Sequence, residues 1–185
     1  MKKIIFIFSL ILSVVFIGCS SRYVYHEKPT PIKKGITKYY LKNTVVNLTL
    51  GHGAIEGDKT FANQEALAAQ FKKSLTQYLD EKKLLSSDEA KSDAVIEVTI
   101  DFNRTFNYGG KALNKPKFSY QVNIKKNGKL LVSYNVPEQV PTRGTVLDMP
   151  YNAKIAAFQR GAEDELKDVS LISERISDEI AEIGE

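Results

Sequence analysis

Residues 94–107 read AVIEVTIDFNRTFN. Ala94, Ile96, Val98, Ile100, Phe102, Arg104 and Phe106 fall on one side of an extended chain. Glu97, Thr99, Asp101, Asn103, Thr105 and Asn107 fall on the other. A period of two over so many residues marks a strand with one buried and one wet face, and antiparallel sheets tolerate a solvated face. The pattern recurs in Phe118, Tyr120, Val122 and Ile124, and in Val46, Leu48 and Leu50 of the run over 44–50.

The turn Lys126-Asn127-Gly128 links the strand ending near Ile124 to a following one. A two-residue Asn-Gly loop places Ile124 opposite Leu131 and Val122 opposite Ser133. A three-residue loop places Ile124 opposite Leu130, Val122 opposite Val132 and Tyr120 opposite Tyr134, which keeps both apolar sets on one face. The expectation is a three-residue hairpin with Gly128 left-handed.

Two segments carry helical spacing. Leu67, Phe71, Leu75, Tyr78 and Leu79 make a stripe over about 63–83, with Asn63 as N-cap and Glu65 near the positive helix end. Ile155, Phe158, Ala162, Leu166, Val169, Ile172, Ile176, Ile180 and Ile183 step by three or four. Unbroken, that second helix is roughly 50 Å long, with Gly161 and Ser170 as candidate bends. Between strands and helix, residues 137–150 hold Pro137, Pro141 and Pro150 and read as an irregular crossing. The order β-α-β-β-β-α predicts an α+β fold, a two-layer α/β sandwich. Its four-stranded mixed sheet carries both helices on one face, and the first two strands run parallel through a right-handed crossover.

The N-terminus has a different character. Lys2 and Lys3 precede an apolar run, residues 4–17, too short for a comfortable membrane span. The order is that of a secretory signal peptide. It ends in Phe16-Ile17-Gly18-Cys19-Ser20, which resembles the lipobox of bacterial lipoproteins, with Phe16 departing from the commoner Leu or Val. The resemblance implies removal of residues 1–18 and acylation of Cys19, the single cysteine of the chain. Ser20 in place of Asp implies the outer membrane, facing the periplasm. Residues 19–42 then read as the lipidated cysteine and a linker in which Arg22, Lys28, Lys33, Lys34 and Lys38 face one acid, Glu27. Tyr23, Tyr25, Tyr39 and Tyr40 are placed either to pack on the domain or to lie at the lipid interface. Residues 43–185 read as one domain. Its size suffices to bury about 68–70% of the unfolded surface without metal or disulfide.

Each candidate site in the sequence also has a plainer reading. GHGAIEGDKT, residues 51–60, joins a strand to a helix, where glycine-rich turns often hold phosphate. The spacing fits neither the Walker loop nor the dinucleotide fingerprint, and Asp58 interrupts the Gly-Lys step. A flexible connection is expected. His26 and His52 are the two histidines, and no Cys/His cluster with metal spacing accompanies them. No cofactor and no metal is expected. Glu163-Asp164-Glu165 reads as the solvated face of a helix. Arg104 falls on the apolar face of its strand. Buried, it requires a partner such as an acid of the C-terminal helix, in a structural ion pair; the commoner arrangement extends the head into water. The wet face offers Asp101, Asn103, Gln121 and Asn123 as an interaction surface, and Lys111, Lys115 and Lys117 form a basic group nearby.

The net charge of +4 does not argue for nucleic acid in an exported protein. The element order is similar to small periplasm-facing lipoproteins that assist envelope machines, the lipopolysaccharide-assembly lipoprotein among them. That resemblance implies a non-catalytic accessory or assembly factor, anchored to the membrane through Cys19 and holding an envelope protein. A binding module for a glycolipid or glycan is the alternative. A periplasmic hydrolase is the third, and it requires His52 beside a nucleophile and an acid.

Overall fold

A computed structural model describes residues 22–107, 112–144 and 146–185. The apolar N-terminal run, Cys19 and Lys111 lie outside the described residues. The elements are β1 (Val24–Tyr25), β2 (Tyr39–Leu50), α1 (Gln64–Glu81), β3 (Ala94–Arg104), β4 (Phe106–Asn107), β5 (Ala112–Leu113), β6 (Lys117–Lys126), β7 (Lys129–Gln139), α2 (Met149–Ala156) and α3 (Ala162–Ala181). The sheet order is β1-β7-β6-β3-β2, with β2 and β3 parallel and the other neighbours antiparallel. β4 and β5 form a separate two-stranded ribbon. α1 and α3 lie against each other on one face, and α2 flanks α3. This is the expected α+β two-layer fold, with β1 as a fifth strand and α2 as a third helix.

Alternation carries the fold as its period requires. Ala94, Ile96, Val98, Ile100 and Phe102 of β3 all point into the core, joined by Phe118, Tyr120, Val122 and Ile124 of β6. From the helical side come Leu67, Phe71, Leu75 and Leu79 of α1 and Val169, Ile172, Ile176 and Ile180 of α3. The Asn63 side chain accepts from Ala66 N at 2.8 Å, capping α1.

The β6–β7 hairpin corrects the expected register. Lys126 faces Lys129 across a two-residue turn, in which Asn127 (φ 51°) and Gly128 (φ 79°) are both left-handed. Such a turn matches the natural twist of the strands. The mismatch it would cause is absorbed at Leu131, an extra residue between the pairs Lys125–Leu130 and Ile124–Val132. Beyond this bulge Val122 meets Tyr134 and Tyr120 meets Val136, so the apolar sets still share a face.

Residues 22–42 do not hang free as a linker. β1 pairs with β7, β2 begins at Tyr39, and Ile32 and Tyr39 are core residues. The C-terminal tail closes over this segment: Lys34 N donates to Glu185 O at 3.2 Å, and Tyr23 Oη donates to Glu179 O at 3.1 Å. The C-terminal helical pattern is likewise interrupted. α2 ends at Ala156, Phe158 takes a left-handed φ of 55°, and Gly161 is extended before α3 starts. Ser170 lies inside α3.

Arg104 corrects the expectation of a head in water. It is 4% exposed and paired to Glu165 of α3, Nε to Oε1 at 2.5 Å and Nη2 to Oε2 at 2.9 Å. Nη2 also donates to Ala62 O at 2.8 Å, and the Phe61 ring lies 5.4 Å away. Glu165 is buried too, so the solvated-face reading of residues 163–165 holds for Glu163 and fails for Asp164 and Glu165. Burial pushes the Glu165 carboxyl up, against the opposing pull of Arg104. Removing one partner strands the other in the core. Arg104→Ala is expected to cost about 3–5 kcal/mol in urea unfolding, and Arg104→Met with Glu165→Leu to recover most of it. A double variant no more stable than the single one would refute this account.

Candidate functional site

The outer sheet face brings the expected residues together. Asp101 lies between Asn47 on β2 and Ser119 on β6, accepting from Asn47 Nδ2 at 2.8 Å and Ser119 Oγ at 3.0 Å. Asn123 accepts from Ser133 Oγ at 2.7 Å, and Lys125 Nζ bonds Glu97 at 2.6 Å. Gln121 is exposed between Thr99 and Asn135. The face is a ladder of cross-strand pairs, many of whose polar atoms already bond one another. Arg104 belongs to the opposite, inner face.

The glycine loop at 51–60 is built around close approach. Gly51 N donates to Arg104 O at 2.8 Å, and Phe106 N to His52 O at 2.8 Å. A Cβ at Gly51 would meet Asn103 Oδ1 at 2.7 Å, and one at Gly53 would meet Phe106 O at 2.7 Å. These glycines let the loop run against the end of β3. The His52 side chain is exposed, as is that of His26. Among the described residues no group of three or more His, Cys, Asp or Glu is placed to hold a metal ion.

A concavity lies between α2 and α3. It is a groove of about 570 Å³ lined by Leu147, Pro150, Tyr151, Leu166 and Leu171, together with the cations Arg143, Lys154 and Lys167 and the acids Asp148, Glu163, Asp164 and Asp168. That volume falls within the range of small-molecule and segment-binding sites. A buried ionic cluster underpins it. Arg160, at the junction of the two helices, donates from Nη1 to Asn114 O at 2.6 Å and from Nη2 to Asp168 Oδ2 at 2.5 Å. The Tyr151 ring covers the guanidinium at 4.1 Å, and its hydroxyl donates to Asp168 Oδ1 at 2.6 Å. Lys115 Nζ lies 4.3 Å from the same ring and 2.9 Å from Asp148 Oδ2.

Each carboxyl of the cluster has its own environment. Burial pushes Asp168 up to about 6, although Arg160 and Tyr151 pull the other way. Burial would also raise Asp164, but bonds from Lys167, Lys154 and Gly161 N outweigh it and hold the group low. Asp148 is held at about 2 by the Thr142 hydroxyl, the Arg143 amide and Lys115. It therefore pins the loop before α2 to the strand β6 side of the molecule.

Sequence reasoning placed none of this groove. One signal was available. Glu165 and Asp168 continue the inward face of Val169, Ile172 and Ile176 at helical spacing, whereas Leu166 lies off it. Once the acids are seen to take the inward positions, Leu166 is left on the surface.

No protein-family model matches the chain, and no curated protein matches it in sequence. Its structure is distantly similar to small bacterial lipoproteins. The minor lipoprotein of Acinetobacter baumannii is 15% identical over 76% of this chain and 92% of that chain, with a TM-score of 0.35. Rare lipoprotein B of Shewanella oneidensis is 11% identical over 75% and 97%, with a TM-score of 0.27. A Xanthomonas campestris protein of the DUF330 family model is 9% identical over 85% and 91%, with a TM-score of 0.43.

The depressed Asp148 predicts a pH dependence. Its stabilising contribution is complete above the ordinary carboxyl value and lost as pH falls through about 2. Wild type should therefore exceed Asp148→Asn in urea midpoint by a constant margin above pH 5. That margin should close between pH 4 and 2, and a margin that widened on acidification would contradict the assignment.

Proposed function

We propose that this chain is a lipid-anchored lipoprotein of the bacterial envelope, held through Cys19 in the outer membrane and facing the periplasm. It works without catalysis, as an accessory factor that holds a partner protein. The observation that carries the reading is the α2–α3 groove. Leu147 and Leu166 of its lining are exposed, and exposed apolar side chains gathered in a groove mark an interaction surface. Tyr151, Arg160 and Asp168 beneath it are locked together, so the groove is preformed and a ligand orders little on binding. The outer sheet face is the less favoured surface, because a partner there must break pairs already made.

A second reading keeps the same groove. The apolar lining of Leu147, Pro150, Leu166 and Leu171 also suits the acyl chain of a glycolipid. Photo-crosslinking in cells separates the two. A photoreactive residue replacing Leu166 should give a discrete protein adduct, whereas one replacing Gln121 on the sheet should not. Lipid adducts at 166 would favour the glycolipid reading. Protein adducts at 121 alone would move the site to the sheet.

A further inference from the structure

We infer that the loop carrying Val140, Val146, Leu147 and Met149 rests in the surface of the bilayer that holds Cys19, so that the α2–α3 groove opens at the membrane. The inference rests on the lipoprotein reading, and its physical basis is the direction in which β1 leaves the sheet. β1 is antiparallel to β7, with Val24 opposite Ser133 and Tyr25 opposite Val132. Followed backwards from Val24, the chain therefore heads the way β7 runs, toward Gln139 and Val140. It is held on that course. The Tyr23 ring packs on Tyr134 at 4.8 Å, and Arg22 bonds Glu179 at 2.7 Å.

Three peptide steps separate Arg22 from Cys19, and three extended residues reach at most about 11 Å. An acylated Cys19 lies at the headgroups, so Arg22 is kept within about that distance of them. The end of the sheet toward which the chain points is therefore the end nearest the bilayer. The loop after β7 belongs to that end. Asp148 within it bonds Lys115, two residues before β6 starts, and the start of β6 pairs with the end of β7 through Phe118 and Gln139.

The chemistry of the loop suits an interfacial position. Val146, Leu147 and Met149 are 76%, 68% and 64% exposed. The one carboxylate among them, Asp148, is turned inward onto Lys115 and Thr142. Arg143 at its edge is paired to Glu174 at 3.2 Å, so the case for this tip is its apolar exposure. The opposite end of the sheet carries Lys125, Lys126 and Lys129 at the hairpin turn. Electrostatics alone would choose that end. The short tether puts it on the far side, roughly 25 Å further along β7 from the level of Arg22.

Fluorescence depth measurements test this in the full lipidated protein, reconstituted into phosphatidylethanolamine–phosphatidylglycerol vesicles. Cys19 is the one native cysteine and is blocked by acylation, so Leu147→Cys, Met149→Cys and Asn127→Cys each take a single bimane label. Nitroxide lipids should quench positions 147 and 149 roughly threefold more than 127, and aqueous iodide should show the reverse order, as interfacial burial requires. Equal quenching at 127 and 147, with acyl mass present on the intact protein, overturns the inference and leaves the lipoprotein reading standing. Absence of the acyl mass overturns both.

Discussion

Arg104 brings a permanent charge to the inner face of β3, and Glu165 answers it with both carboxylate oxygens. Because neither head can return to water once the layers close, the pair fixes where α3 begins on the sheet. The third bond of Arg104, to Ala62 O, ties the entry of α1 to the same point. Three residues further along, Asp168 repeats the device with Arg160. The first turns of α3 thus carry acids inward, where the positive end of the helix favours them, and the later turns carry isoleucines. The groove is a consequence. Arg160 must reach Asp168 from the junction after α2, which brings α2 alongside α3 and leaves Leu166 and Leu171 to form one wall.

What could be read in advance follows from which interactions are periodic. The strands β3 and β6 and the helix α1 bury residues at fixed intervals, so their faces were legible from Ile96, Val98, Phe118, Val122, Leu67 and Phe71 alone. The register of the last hairpin was not, because a bulge at Leu131 restores what a strict count forbids, and a count has no place for an extra residue. The depth of Arg104 was not either. Alternation assigns it a side, but Phe61, Ala62 and α3 decide whether water reaches it. The acids at 164, 165 and 168 were misplaced for a related reason. An acid on a helix is usually outside, and only the arginines meeting it from remote segments reverse that rule. The anchor segment failed as a free tether because its partners, β7 and the residues after α3, lie more than a hundred positions away.

The glycine-rich loop illustrates how one composition serves two purposes. Phosphate loops use glycine so that amides can crowd an anion. Here Gly51 and Gly53 let a loop crowd a strand, with Asn103, Arg104 and Phe106 in the place of a ligand. The amide of Gly51 already has its acceptor in Arg104 O. At Gly51 and Gly53 the space a ligand would need is taken by the strand, and Asp58 would repel an anion besides.

In the proposed lipid-anchored arrangement, attachment and recognition are coupled by the way β1 is sewn into the sheet. A long flexible tether would let a domain sample many orientations and distances, and the local concentration of its surface near any membrane partner would fall with tether length. Residues 22–42 form part of the fold instead, clamped by the tail after α3. Under the proposed anchorage at Cys19, a tether of three peptide steps from Arg22 would keep the domain close to the bilayer and limit its rotation. Part of the orientational cost of association is then met before a partner arrives. Under that proposal a groove of modest area, on preformed walls, would be adequate for recognition without a large hydrophobic interface.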